Sequence, residues 1–246
     1  MKEILVIQSR TRPEMVEGEQ EEYVRALEGT EYVPVFKNAL DESIQWNNPQ
    51  QVIGSARGVI FGGSGEYDFD GGRSLDDPAR STSKVILAQV TPLLEYLFQN
   101  GIPTLGICYG HQIIGDWRGG KVANDHSQKK TGSHEVVLTE AGKNDPLFAD
   151  MPPAFLAQYG HKDSLTTLPE GAVSIATGAQ CNFSGLRYGP GIYTLQFHPE
   201  LTASDVSRKL KLSPGYLPEG VDPTDIIRES PEASTLIARF VELIAK

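Results

Sequence analysis

Residues 104–115 read TLGICYGHQIIG, and this stretch decides the fold. Its first four residues have the pattern of a buried strand, which ends directly at Cys108, and a helical pattern begins at Tyr109. Gly106 and Gly110 remove side chains where the strand must turn sharply and the helix must pack closely, as in a nucleophile elbow. Open α/β folds bind ligands at the carboxyl edge of the sheet, where this cysteine would lie. The stretch therefore predicts a strand–turn–helix unit with Cys108 as a candidate nucleophile, and a packed core cysteine is the alternative.

The first half of the chain repeats this alternation of strand and helix. Three further apolar runs have the length of buried parallel strands: Ile4–Ile7, Val33–Phe36 and Val59–Phe61. Helical patterns lie between them, at Glu14–Leu27 and Pro92–Asn100. The alternation predicts an α/β fold with an open, mostly parallel central sheet flanked by helices.

The second half predicts additional antiparallel strands. The candidates are Glu135–Leu138, Ala154–Gln158, Val173–Ala176 and Ile192–Phe197. A last helix is predicted after Ser230, which can cap it, and Pro231, which suits its first position.

Two stretches do not fit the regular pattern. Gly65–Ser83 is acidic and glycine-rich, whereas Leu201–Glu229 is polar and broken by three prolines: Pro214, Pro218 and Pro223. Long irregular stretches in a compact domain are usually functional loops or disorder. The length fits one domain over residues 1–246, with an insertion at about 65–83 and a C-terminal extension at about 201–246.

Composition excludes several classes of function. The net charge of -10 argues against a nucleic-acid partner. No run approaches the roughly 18 apolar residues of a membrane helix, and the N-terminal segment MKEILVIQSR predicts a strand rather than a secretory signal. The two cysteines form no CxxC pair, and His126 and His134 lack metal-ligand spacing, so we expect no metal. We expect a cytoplasmic protein with reduced thiols.

A second motif, QFHPE at Gln196–Glu200, ends the last predicted strand. A thiolate nucleophile needs a base, and the base needs an acceptor that orients it. Residues i and i+2 of an extended segment point the same way, and Pro199 favours extended geometry at His198. Glu200 is therefore placed to accept a hydrogen bond from His198. A strand end with a solvated carboxylate is the alternative, which the cysteine elbow disfavours.

These motifs resemble the class I glutamine amidotransferases, whose segments read GxCxGxQ and HPE. FGGSG at Phe61–Gly65 resembles the oxyanion loop of the family, and QYGHKDSL at Gln158–Leu165 resembles a segment written SHGD in GMP synthetases. The closest likeness is to stand-alone GMP-synthetase-like amidotransferases. The resemblance implies a flavodoxin-like sheet, no cofactor, and either glutamine or a γ-glutamyl compound as substrate. It also implies a separate synthetase or ligase subunit that receives ammonia.

The resemblance also implies roles for individual residues. Cys108 would attack the glutamine side-chain amide and form a γ-glutamyl thioester. His198 would act as base and then as acid, oriented by Glu200. The remaining implied site residues are the backbone N–H groups of Gly63 and Tyr109 for the oxyanion, and Gln112, His161 and Asp163 for substrate binding.

The likeness is incomplete at several positions. Ser64 follows the glycine pair of the oxyanion loop, where the family often has proline, and Lys162 stands where the SHGD pattern has glycine. Cys181 has no following helix and no base nearby in the sequence, so we expect a packed thiol without a catalytic role. His111 is expected to turn away from Cys108. Solvated ion pairs are the default for Arg73 and Arg80, although both could contact an anionic substrate from a lid.

Three functions remain open at this point. The first is a glutaminase that supplies ammonia to a separate partner. The second is a γ-glutamyl hydrolase or peptidase that forms the same thioester from a larger amide, with the insertion selecting the leaving group. The third is a non-catalytic regulatory module, which the intact trio of Cys108, His198 and Glu200 disfavours.

Overall fold

The computed structural model describes residues 1–217 and 220–245. Pro218 of the proline-broken stretch lies outside the described residues, as do Glu219 and Lys246. The strands are β1 Lys2–Gln8, β2 Tyr32–Asn38, β3 Val59–Phe61, β4 Thr104–Ile107, β5 Val122–Ala123, β6 Lys130–Leu138, β7 Ala154–His161, β8 Ser164–Leu165, β9 Val173–Gly178, β10 Cys181–Gly189 and β11 Ile192–Leu195. The α-helices are α1 Pro13–Ala26, α2 Pro49–Ile53, α3 Pro78–Gln99, α4 Tyr109–Trp117, α5 Glu140–Lys143, α6 Ala203–Leu212, α7 Pro223–Ile226 and α8 Leu236–Leu243.

Within residues 1–217 and 220–245, nine strands form one central sheet in the order β2-β1-β3-β4-β11-β10-β9-β6-β7. The first five are parallel, and the last four continue the sheet in antiparallel fashion. The predicted α/β class, with a parallel sheet and additional antiparallel strands, is confirmed. Because the carboxyl ends of parallel strands meet at one edge, the segments after β1, β3, β4 and β11 converge there.

The core lies on both faces of this sheet because alternate residues of each strand point to opposite sides. Ile4 and Val6 of β1 pack on the face covered by α1 and α8. Leu5 and Ile7 pack on the face covered by α3 and α4. Burial on both faces explains why β1 is a continuous apolar run rather than an alternating one. No described helix is long and apolar enough to cross a membrane.

Two predicted helix starts were wrong, and several elements were not predicted. The helix predicted from Pro92 starts at Pro78, where Asp77 caps it, and Pro92 lies inside it. The last α-helix starts at Leu236, after a 3-10 turn, rather than directly after Pro231. The extension contains the helix α6, and Cys181 begins a strand that was not predicted.

Candidate active site

Cys108 lies at the sharp turn between β4 and α4, with φ 51° and ψ -96°. Few non-glycine residues adopt this backbone conformation, and it persists only where the surroundings enforce it. Here the Cys108 N–H donates to the Leu195 carbonyl at 2.8 Å. A side chain at Gly110 would overlap the Phe61 carbonyl, and one at Gly106 would meet the Gly110 carbonyl oxygen at 2.8 Å. The two glycines therefore allow the close packing that the elbow requires.

His198 and Glu200 follow β11 and face the elbow from the neighbouring strand. His198 Nδ1 lies 2.6 Å from Glu200 Oε1, and both side chains are buried. The backbone N–H of His198 donates to the Gln158 carbonyl at 2.8 Å, which fixes the segment against β7. The Cys108 sulfur lies near enough to raise the pKa of the imidazole. The three residues identified from the two motifs are thus brought together.

The charges in this trio support one another. Burial lowers the pKa of His198, but the Glu200 carboxylate and then the Cys108 sulfur outweigh it and raise that pKa to about 10. Burial raises the pKa of Glu200, yet the imidazolium beside it holds that pKa below its usual range. The site therefore favours a charged His198–Glu200 pair at neutral pH.

The two expected oxyanion donors lie beside the elbow. The Gly110 N–H donates to the Gly62 carbonyl at 3.1 Å, which joins the loop after β3 to the start of α4. Within the described chain, the backbone N–H groups of Gly63 and Tyr109 donate to no acceptor. A Cβ atom on Gly63 would lie 2.8 Å from His198 Cε1, so only glycine lets the loop approach the imidazole this closely.

The three expected substrate-binding residues form a buried network of their own. Gln112 donates to the Asp163 carbonyl at 2.7 Å, and His161 Nδ1 lies 3.0 Å from that same oxygen. Burial lowers the pKa of His161 to about 3, so its ring is neutral at physiological pH. The Asp163 carboxylate accepts the N–H groups of Asp70 at 2.8 Å and Gly71 at 2.6 Å.

These last two bonds place the predicted insertion next to the elbow. The Phe69 ring lies 5.7 Å from the Tyr109 ring, measured between centroids. Lys162 Nζ lies 3.7 Å from an Asp68 carboxylate oxygen and 4.7 Å from the centre of the Tyr216 ring. Lys162, which stands where the resembling pattern has glycine, therefore links the insertion to the C-terminal extension.

Two charged residues of the insertion pair within it. Arg73 Nε contacts an Asp68 oxygen at 2.6 Å, and Arg80 Nη1 lies 3.5 Å from Asp70. These contacts agree with the default expectation of ion pairs for both arginines.

Arg10, a buried cation at the carboxyl edge of the sheet, was not among the site residues predicted from the sequence. Its Nε lies 3.0 Å from Glu19 Oε1, and it lines a pocket together with His198. Lys209 of α6 lines the same pocket and lies 3.0 Å from a Glu22 oxygen. The available signal was position, because Arg10 follows the first strand as Cys108 follows the fourth.

Two other residues lie apart from this chemistry. His111 Nδ1 lies 2.8 Å from Thr194 Oγ1, so its ring faces β11. Burial raises the pKa of the Cys181 thiol, which fits a packed cysteine.

The fold and the elbow together define an α/β protein with a buried cysteine at a strand–helix turn and a histidine–carboxylate pair beside it. The class-I glutamine amidotransferase family matches residues 25–211. The chain belongs to this family of enzymes.

Curated relatives agree with that assignment, and a solved structure agrees with the fold. The chain is 27% identical over 214 residues to the glutamine-hydrolyzing GMP synthase of Dehalococcoides mccartyi, covering 82% of this chain and 36% of that protein. It is 32% identical over 146 residues to the corresponding enzyme of Latilactobacillus sakei, covering 59% and 24%. A glutamine amidotransferase structure from Thermotoga maritima superimposes with TM-score 0.72 at 20% identity, covering 100% of this chain and 99% of that one. The chain thus spans about a third or less of these two curated relatives.

Proposed function

We propose that this protein hydrolyses the side-chain amide of glutamine through a thioester on Cys108 and releases ammonia for a separate partner. The observation that carries the proposal is the buried His198–Glu200 pair beside a cysteine held at a strained elbow. Burying a charged pair costs desolvation free energy, and apolar residues of similar volume would often be at least as stable here. Packing alone therefore does not explain why this pair is present.

The reaction begins with proton transfer. His198 takes the thiol proton before substrate attack, in keeping with its favoured charged form, and the Cys108 sulfur then attacks the amide carbon of glutamine. The resulting imidazolium gives its proton to the departing nitrogen, so the carbon–nitrogen bond breaks and ammonia leaves. Glu200 holds the ring through Nδ1 and stabilises its positive charge.

The second half of the reaction uses water. His198 removes a proton from water, which attacks the thioester, and glutamate leaves as the thiol is restored. In both halves, negative charge develops on the carbonyl oxygen. The N–H groups of Gly63 and Tyr109 are the donors that we assign to it, because fixed donors without a competing acceptor stabilise such charge most.

We assign the amino-acid end of the substrate to the network of Gln112, His161 and Asp163. Gln112 lies one helical turn beyond Cys108, and Asp163 fastens the insertion beside it. The insertion is then a lid over the substrate, with Asp163 as its attachment. This role supports a single-domain organisation in which the additions at 65–83 and 201–246 adapt a common site.

We place the ammonia acceptor on a separate synthetase or ligase subunit. The matched GMP synthases are about three to four times longer than the segment they share with this chain, which supports an acceptor site outside the matched region. A cytoplasmic location suits a nucleophile that must stay reduced, and both cysteines are free.

The test is ammonia release from glutamine by the wild-type chain, Cys108→Ala and Cys181→Ala. We expect release by wild type and Cys181→Ala, and none above background by Cys108→Ala. Mass spectrometry of an acid-quenched reaction should find the γ-glutamyl adduct on the peptide containing Cys108. Equal activity in Cys108→Ala, or absence of both ammonia and adduct in the wild type, would overturn the proposal.

A further inference from the structure

A pocket lies against His198, and the C-terminal extension builds much of its wall. The extension contributes the apolar side chains of Leu201, Val206, Leu210 and Tyr216. The space that water molecules can occupy in this pocket is about 60 Å³, and the pocket opens to solvent. The leaving group in the hydrolysis of glutamine is only ammonia, which leaves this space without a role.

The position of the pocket beside His198 places it on the leaving-group side of the substrate. The general acid must face the departing nitrogen, because it donates its proton there. The pocket contacts His198, and it also contacts Gly160, whose carbonyl oxygen lies 4.0 Å from the Cys108 sulfur. A group attached to the departing nitrogen would therefore extend into this pocket.

The charged residues that line the pocket indicate which kind of leaving group it would bind. Among the described residues that line it, the charged side chains are Arg10, Lys209 and His198, and none is acidic. Arg10 and Lys209 are each held by a glutamate behind the wall, Glu19 and Glu22. Fixed cations beside an apolar wall suit a ligand with one anionic group and an apolar body.

We propose that this pocket binds the leaving group of a γ-glutamyl amino acid, with an apolar side chain against α6 and a carboxylate near Arg10 and Lys209. The inference rests on the thioester chemistry proposed above. The Cys108 sulfur bonds to the γ-carbonyl carbon, the carbon–nitrogen bond breaks, and the His198 proton goes to the departing amine. Water then cleaves the thioester, so that one γ-glutamyl amino acid and one water give glutamate and the free amino acid.

The first experiment compares substrates on the full wild-type chain. Glutamine, γ-glutamyl-leucine and γ-glutamyl-lysine are supplied, and glutamate release is measured. We expect kcat/KM for γ-glutamyl-leucine to exceed that for γ-glutamyl-lysine at least tenfold, because a second cation meets Arg10 and Lys209. Equal use of the two dipeptides would overturn the proposal.

The second experiment fills the pocket. Leu210→Trp should lower the ratio of kcat/KM for γ-glutamyl-leucine to that for glutamine at least tenfold. Lys211→Ala, at an exposed position of the same helix, should leave the ratio unchanged. An equal loss for both substrates in Leu210→Trp would overturn the assignment of the pocket.

The outcomes also separate the two proposals. Turnover of glutamine without turnover of either dipeptide would overturn the pocket assignment and leave the proposed function standing. Turnover of γ-glutamyl-leucine without glutamine would support the pocket and overturn glutamine as the substrate. Absence of turnover and of a Cys108 adduct with all three compounds would overturn both proposals.

Discussion

His198 Nδ1 and Glu200 Oε1 lie 2.6 Å apart, and the two residues are separated by Pro199 alone. Their side chains are 8% and 1% exposed, so water screens the attraction between them only weakly. Backbone geometry presets the pair, because extended residues at i and i+2 point the same way. The carboxylate therefore both orients the ring and favours its protonated form.

Replacing this carboxylate should change the titration of the ring. In Glu200→Gln, we expect the pKa of His198 to fall by about 1–3 units from its value of about 10, because burial then acts with less opposition. The proton would then be lost at a lower pH. NMR of ring-labelled histidine measures this, with His134 as an internal reference. An unchanged His198 titration would contradict the assigned coupling.

The close approach of Gly63 to His198 predicts a strong effect of a single methyl group. In Gly63→Ala, the added Cβ would lie 2.8 Å from His198 Cε1, so the ring or the loop must move. We expect kcat/KM for glutamine to fall about 100-fold, as a displacement near 1 Å can do. Gly189→Ala is the matched control, because its added Cβ meets no atom within 4 Å. Wild-type kinetics in Gly63→Ala would contradict this prediction, because the loop would then move aside without loss of activity.

The meeting of Cys108 and His198 could be predicted from the sequence because each residue follows a short buried strand. Parallel strands bring such residues to one edge, and the GxCxGxQ and HPE motifs mark the places. The family assignment is confirmed by the match over residues 25–211. The role of each site residue remains a proposal.

Other features depend on contacts that no local pattern reveals. Arg10 lies at 3% exposure only because Glu19 accompanies it into the interior. The first turns of α3 are polar in sequence, so its apolar periodicity begins several residues after Pro78 and does not mark where the helix starts. A signal for α6 did exist, since Thr202 and Asp205 form a capping box.

The backbone of Cys108 predicts an unusual order of stabilities. Its φ of 51° and ψ of -96° strain any residue with a Cβ atom, so Cys108→Gly should be more stable than Cys108→Ala by about 1–3 kcal/mol. Urea denaturation gives the free energies of unfolding. At Cys181, which starts an extended strand, the order should reverse, with glycine about 0.5–1 kcal/mol less stable than alanine. If alanine were more stable than glycine at both positions, the result would argue against strain at the elbow.

The attachment of the insertion to Asp163 predicts a local change in mobility. In Asp163→Ala, the N–H groups of Asp70 and Gly71 lose their acceptor, and a hydrogen bond to a charged group is worth about 1.5–3 kcal/mol. Exchange of these two amide protons should become at least about tenfold faster, because 1.4 kcal/mol corresponds to a factor of ten. If the insertion is a lid over the substrate, KM for glutamine should rise more than kcat falls.

Hydrogen exchange with mass spectrometry or NMR measures the first effect, and steady-state kinetics measures the second. Asp125→Ala is the control, because Asp125 is a partly exposed loop residue whose carboxylate bonds only locally, to Ser127 and Gln128, among the described residues. It should alter neither exchange at Asp70 and Gly71 nor KM. Faster exchange with an unchanged KM would keep the attachment and exclude the lid, since the loop would then move without affecting substrate binding. Unchanged exchange would mean that Phe69, packed on Tyr109, holds the loop without Asp163.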